Sequence, residues 1–186
     1  LEIRARLVFL FRLLKVDTVF TFNPWGPDEP AVDHWLTGKA VEAARYSGMD
    51  KDYPEHFAAG LEPHEVRERY YWVARQGQPF NRVVDVSDFE EEMVAAMAVN
   101  KAQGPCGSSG SRLRARLAQR GLRLPELGDD DETADREYAR LFFLDSYREV
   151  GQAYGVGCGE AFYYLGPDER PDRIQEYVEE HAVPID

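Results

Sequence analysis

Residues 23–38 read NPWGPDEPAVDHWLTG. They follow an apolar run, VDTVFTF at 16–22, and precede KAVEAARY at 39–46, where small and apolar residues recur at helical spacing. The unbroken β-branched and aromatic run at 18–22 has the composition of a strand covered on both faces, as in a parallel sheet. Three prolines then hold the chain in turns. Asp33 stands where a helix N-cap belongs, and a helix runs to about residue 46 with Leu36, Ala40 and Ala44 on one face. Ser47 and Gly48 end it. Strand, rigid loop and helix in that order are the grammar of a layered α/β fold. Open α/β sheets place their ligand crevices at the carboxyl ends of strands, and His34 sits there, directly after Asp33.

Working outward, residues 2–14 form a helix with Leu7, Leu10, Leu13 and Leu14 at three- and four-residue spacing. Residues 49–65 carry two prolines and read as an excursion from the core. Further strands are expected at 69–73 and 82–86. Ser87 or Asp88 then caps a helix over 89–102, with Phe89, Met93 and Met97 stacked. GPCGSSGS at 104–111 is a flexible connector; it lacks the Gly-Lys-Ser/Thr ending of a phosphate loop. A basic stretch, RLRARLAQRGLRL, leads to a long helix whose front is packed with acids, Asp129 and Glu132 having capping-box spacing. GEAFYYLG at 159–166 is the last expected element before a Pro- and acid-rich tail. The expectation is one α/β domain over 1–186, three-layered and Rossmann-like, with a mainly parallel sheet and helices on both faces.

Composition narrows the function. Lys and Arg total 22 against 34 Asp and Glu, a net charge of −12, which disfavours nucleic acid or an anionic membrane surface as partner. No run reaches the roughly 18 apolar residues of a membrane span. The opening helix is interrupted by Arg4, Arg6 and Arg12, so it reads as neither a span nor a good signal peptide. Two cysteines in a chain of 186 make no disulfide framework; a reducing, cytoplasmic setting is expected.

Among chemistry-bearing residues His34 is foremost. An imidazole there binds a metal through one nitrogen while an acceptor holds the other; alternatively, Asp33 merely caps the helix and His34 is a half-exposed first-turn residue. His56, His64 and His181 do not complete a ligand set, and there is no HExxH or HxH pair. The run 129–132 lacks the spacing of a calcium loop and reads as a helix start. Trp25, Trp35, Tyr53 and Phe57 flank the His34 region, for stacking on a sugar face or for packing. Cys106 has no histidine tied to it.

The succession of strand, Asn-Pro-Trp-Gly, turn, Asp33-His34, Gly38 and an Ala-rich helix resembles the PIG-L/LmbE family of zinc-dependent N-deacetylases. RVVDVSDFEEEMVAAMAVNKAQGP, with Asn100, Lys101 and Gln103, and GCGEAFYYL, with Glu160 and Phe162, resemble later segments of that family in the same order. The resemblance implies His34 as a zinc ligand, Asp33 as a catalytic residue, and Asn23, Trp25, Asn100 and Gln103 as substrate-binding. It implies Zn2+ as cofactor and a small N-acetylated substrate, such as an amino sugar, as partner. Two departures matter. Ala31 stands where many members have an assisting histidine, and the His-Pro-Asp-Asp-Glu segment supplying the first two zinc ligands and the base is absent. The expectations are therefore an amino-terminally truncated deacetylase with its first strand or strands missing, inactive alone and prone to self-association as a homo-oligomer. The rival is a non-catalytic α/β binding module that keeps the scaffold.

Overall fold

The computed structural model describes residues 2–49, 52–73, 77–102, 106–167 and 173–184. In chain order the elements are α1 (Glu2–Leu14), β1 (Thr18–Phe22), α2 (Val32–Ala44), α3 (Pro54–Ala58), β2 (Glu68–Trp72), β3 (Arg82–Asp85), α4 (Glu90–Val99), α5 (Ser109–Gln119), α6 (Asp131–Phe142), α7 (Leu144–Ala153), β4 (Gly159–Leu165) and α8 (Arg173–His181). The strand order is β1-β2-β4-β3. The chain divides into two compact units, residues 1–78 with 163–186 and residues 79–162, and β4 contributes to both. The sheet is mixed: β1 and β2 are parallel, with Phe22 opposite Trp72, whereas β3 and β4 are antiparallel, with Arg82 opposite Phe162.

In the first unit Val8 and Phe11 of α1 pack on Val41 and Ala44 of α2 and on Val66. The leucine stripe expected on α1 is not its buried face: Leu10, Leu13 and Leu14 are exposed. The reason is Arg12. It is fully buried, and its guanidinium donates to the carbonyls of Ser47 (2.9 Å), Met49 (2.7 Å) and Asp52 (3.0 Å). It also lies 3.0 Å from His56 Nδ1 and over the Phe57 ring. A polar residue thus marks the core face, rotating the helix away from the leucines.

The same contacts correct the reading of 49–65 as an excursion, because α3 and buried His56 dock on α1. Strand β1 is likewise not covered on both faces. Val19 and Thr21 turn to the core, while Phe20 is half-exposed and stacks across on Tyr70 at 4.6 Å. On its other side β2 meets β4, where the Tyr164 hydroxyl donates to Glu68 at 2.6 Å.

The second unit is built on Val94, Cys106, Ala139 and Leu144, with Met93, Met97 and Phe143 against them. Helix α4 starts at Glu90 without a side-chain cap and Phe89 is exposed. Ser87 cannot cap it: its hydroxyl donates to Asp85 and accepts the Cys158 N–H. The presumed connector is partly helical, since α5 begins at Ser109. Gly110 lies where any Cβ would strike the Ala134 carbonyl of α6, so the glycine serves a close helix approach, not flexibility. The acidic helix is two helices, α6 and α7, that meet at Phe143. The cap of α6 is Asp130, which accepts the Thr133 N–H at 2.8 Å, one residue along from the expected Asp129. Beyond β4, the tail expected after residue 166 contains helix α8. Among the described residues no helix is long and apolar enough to cross a membrane.

Candidate functional site

Strand β1 ends at Phe22, and the next residue turns the chain. Asn23 is buried, its side-chain oxygen accepting the Trp25 N–H at 2.9 Å. That local bond closes an Asx turn. Buried Gln78 donates to the Pro27 carbonyl at 2.7 Å, pinning the middle of the loop. The turn folds Trp25 edge-on against Tyr71 of β2 (5.2 Å) and Tyr163 of β4 (6.4 Å). Tyr71 is fully buried and donates to Glu42, which also pairs with Arg45 at 3.3 Å. Burial, with Glu42 beside it, holds the Tyr71 hydroxyl well above its ordinary pKa.

Helix α2 begins at Val32. Its N-cap is Ala31, with no side-chain cap, so Asp33 is inside the first turn and exposed. This corrects the capping reading, though an acid there still favours the helix dipole. Consecutive helical residues point about 100° apart, so Asp33 and His34 face different directions.

His34 faces the strand. Its ring stacks on Phe22, centroids 3.9 Å apart and planes 7° from parallel. One turn later Gly38 explains the His-x-x-x-Gly spacing, because i and i+4 share a helix face. A Cβ on Gly38 would collide with the Phe22 carbonyl and come within 3.1 Å of the Pro24 nitrogen. Only glycine lets α2 lie this close to the end of β1 and bring His34 onto Phe22.

The two nitrogens of His34 differ. Nδ1 is buried with no well-directed hydrogen bond, its neighbour being Glu29 Oε1 at 3.3 Å. The Glu29 side chain is only 6% exposed, and the same Oε1 accepts the Ala31 N–H at 3.0 Å. The His34 side chain keeps 34% exposure, while its Nδ1 is buried. Sequence reasoning missed Glu29; nothing in a loop glutamate five positions before a histidine signals a contact, since no regular element sets that spacing.

Trp25 and Trp35 are both half-exposed, and the Lys39 ammonium lies 5.8 and 5.7 Å from their ring centroids. Of the four aromatics expected around His34, these two are near it. Tyr53 and Phe57 instead serve α1, under Arg4 and Arg12. Met49, His64 and Glu65, with Arg45, line a hollow of about 420 Å³ at the far end of α2, about 16 Å along the axis from His34.

Asn100 belongs to the second unit, exposed at the end of α4. Gln103 lies outside the described residues. Next to Asn100, Lys101 pairs at 2.5 Å with buried Asp135, which also accepts the Ser111 N–H at 2.8 Å. Glu160 of β4 is half-buried, and burial raises its pKa. Both cysteines are free and buried, Cys106 with its thiol pushed up to about 11 by that burial.

Among the described residues no group of three or more His, Cys, Asp or Glu side chains is placed to hold a metal ion. A catalytic zinc takes three protein donors. His34 is one donor, so these residues do not fit a zinc ion by themselves.

No family model matches the chain. It is 28% identical over 105 residues to diacetylchitobiose deacetylase of Thermococcus kodakarensis, a match covering 56% of this chain and 38% of that protein. Its structure is similar to that of N,N'-diacetylchitobiose deacetylase from Pyrococcus horikoshii, with a TM-score of 0.63 and 22% identity, covering 99% of this chain and 55% of the other. It is also similar to the conserved protein TT1542 from Thermus thermophilus, with a TM-score of 0.57 and 19% identity over 92% of this chain and 62% of that one. The chain thus spans well under two thirds of the curated relative it matches. The fold is that of the deacetylase structure: mixed α/β, a central sheet flanked by helices.

Proposed function

We propose that the chain is part of a hydrolase that removes the acetyl group from an N-acetylated amino sugar or a similar small amide. The observation that carries this reading is His34 at the carboxyl end of β1, stacked on Phe22 with its side chain 34% exposed. It is the arrangement expected of a ligand-facing imidazole in an α/β crevice. The likeness to a diacetylchitobiose deacetylase over 105 residues supports the substrate class. In this reading His34 would be one donor to a zinc ion, whose chemistry in such a site would be that of a Lewis acid. The described residues do not complete that donor set, so the reading assigns His34 one donor's place and nothing more. The reading expects the 186-residue chain to be inactive alone.

The chain's own contribution is substrate placement. The half-exposed indoles of Trp25 and Trp35 offer apolar faces for a sugar ring, and Lys39 between them supplies a donor for a sugar hydroxyl. Asn23 holds Trp25 in place through its turn. Asp33, exposed in the first turn of α2, is assigned a catalytic role; Asn100 and Gln103 are assigned to substrate binding. A cytoplasmic setting and association into a homo-oligomer belong to the same proposal.

The test is acetate release from N-acetylglucosamine and N,N'-diacetylchitobiose by the protein expressed from its complete gene, with zinc supplied. Turnover is expected there, absent from the 1–186 chain, abolished by His34→Ala and cut about 100-fold by Asp33→Asn. A zinc-loaded protein that releases no acetate from either sugar sinks the reading. That result would favour the second reading, a binding module that keeps the scaffold, for which Ala31 in the place of an assisting histidine is the specific observation.

A further inference from the structure

We infer that Glu29 is the positioning residue of the site, holding His34 in the tautomer that carries its proton on Nδ1 and so presents Nε2 as a bare lone pair. This inference rests on the reading above only for its consequence in catalysis; the tautomer itself is independent of it. A carboxylate accepts hydrogen bonds and donates none. With Glu29 Oε1 3.3 Å from Nδ1, the pairing is attractive only when Nδ1 bears the proton. Neutral imidazole has one proton to place; the nitrogen that carries it donates, and the one that lacks it is the acceptor, metal ligand or base. Burial sharpens the choice. Nδ1 is shielded from water and makes no well-directed hydrogen bond, which leaves Glu29 Oε1 as its polar neighbour, and a buried N–H next to a carboxylate is stabilised as a charge-assisted contact. A bare Nδ1 lone pair facing a buried carboxylate would instead be repelled.

The loop fixes Glu29 for this role. Pro30 confines the preceding residue to extended backbone, the Ala31 N–H anchors Oε1 at 3.0 Å, and Gln78 ties down Pro27. On the other partner, Phe22 sets the plane of the ring. Carboxylate and strand aromatic together leave the imidazole one orientation. The sequence logic is then legible: the prolines are there to aim an acid at the buried nitrogen of a histidine whose side chain stays partly exposed.

The experiment is long-range proton–nitrogen correlation NMR on the uniformly 15N-labelled, chelator-treated 1–186 chain at alkaline pH, with His34 assigned by its absence in His34→Gln. The expected result is a His34 Nδ1 shift of the protonated type and an Nε2 shift of the lone-pair type, the reverse of free neutral histidine. Glu29→Ala should move His34 to the Nε2–H form. Glu29→Gln, whose amide oxygen still accepts, should restore most of the Nδ1–H form, which a merely structural glutamate would not do. Should Glu29→Ala fail to fold, the wild type and Glu29→Gln still decide. A wild-type His34 protonated on Nε2, or a tautomer unmoved in a folded Glu29→Ala, overturns the inference. If the gene's full product is active, Glu29→Ala should also lower its turnover 10- to 100-fold. Absence of activity in every variant would sink the deacetylase reading and leave the NMR result standing.

Discussion

Gly38→Ala tests whether α2 lies against the end of β1 as closely as the geometry requires. In an open helix the change is favourable by about 1 kcal/mol, since alanine is the better helix former. Here the new methyl would strike the Phe22 carbonyl oxygen and crowd the Pro24 nitrogen at 3.1 Å. Both are backbone atoms of a turn held by the Asn23 side chain and by Gln78, so neither can swing aside as a side-chain end would. Restoring an ordinary C···O contact requires α2 to lift by on the order of 1 Å. Overpacking of this kind costs about 1–3 kcal/mol; taking the upper end for a rigid obstacle and subtracting the propensity gain leaves a net loss of about 2 kcal/mol. For 186 residues the unfolding entropy is about 0.4 kcal/mol/K, so the melting temperature should fall by roughly 5 °C. Thermal melts of Gly38→Ala beside Thr37→Ala, one position along on the exposed side, make the comparison internal, because the second variant gains propensity without a clash. Lifting α2 also takes His34 off Phe22, and a 1 Å misplacement of a reacting group costs about 100-fold in turnover. A Gly38→Ala protein that melts at or above the wild-type temperature refutes the close approach and the explanation of the His-x-x-x-Gly spacing with it.

Arg12→Met should destabilise the chain by about 3 kcal/mol, because it removes the guanidinium that bridges the carbonyls of Ser47, Met49 and Asp52 from a buried position; the segment 47–57 should become the first site of limited proteolysis, and an unchanged melt and digestion pattern would contradict the clamp. Burial alone would raise the carboxyl pKa of Asp135, but Lys101 and the Ser111 N–H more than offset it, so the folded value lies below the ordinary 3.8. A depressed acid stabilises the fold above its unfolded pKa and loses that contribution as pH falls through the folded value; melting temperature should therefore drop below pH 4, with a shallower slope in Asp135→Asn, and identical slopes would count against the pair. Neither cysteine should react with a soluble disulfide reagent within minutes at pH 7.5, since both thiols are buried and raised in pKa, Cys106 to about 11; one fast-reacting thiol in the folded protein would refute that packing.

The parts of the fold that could be read from sequence are those governed by local rules. An unbroken β-branched and aromatic run gave β1 to the residue, and the strands near 69–73 and 82–86 lie within one residue of β2 and β3 at each end. Misreadings fall where a polar group does tertiary work. Arg12 broke the apolar pattern of α1 and so was passed over as its buried face, although three backbone carbonyls and the Phe57 ring receive its head. Ser87 has the composition of a cap, yet its hydroxyl is engaged by Asp85 and by the Cys158 amide, 71 residues away, a claim no local window contains. Helix α8 did carry a signal, Ile174, Tyr177 and Val178 at helical spacing, outweighed in reading by the acids and prolines around it.

The site follows the same division. His34 and Gly38 were legible because a helix fixes the distance between i and i+4, so a motif of two residues already encodes a contact with the strand behind them. Glu29 was not, because its approach to His34 depends on a path through Pro27, Asp28 and Pro30 that no periodicity describes. That asymmetry has a physical consequence. The helical half of the site is set by backbone hydrogen bonds and should survive most surface substitutions, whereas the loop half hangs on a few contacts: Asn23 to Trp25, Gln78 to Pro27, Glu29 to Ala31. Breaking any one of these should alter how His34 is presented before it alters whether the chain folds. The imidazole is thus aimed by the least regular segment of the unit, and it is in that segment that the chain's chemistry would be gained or lost.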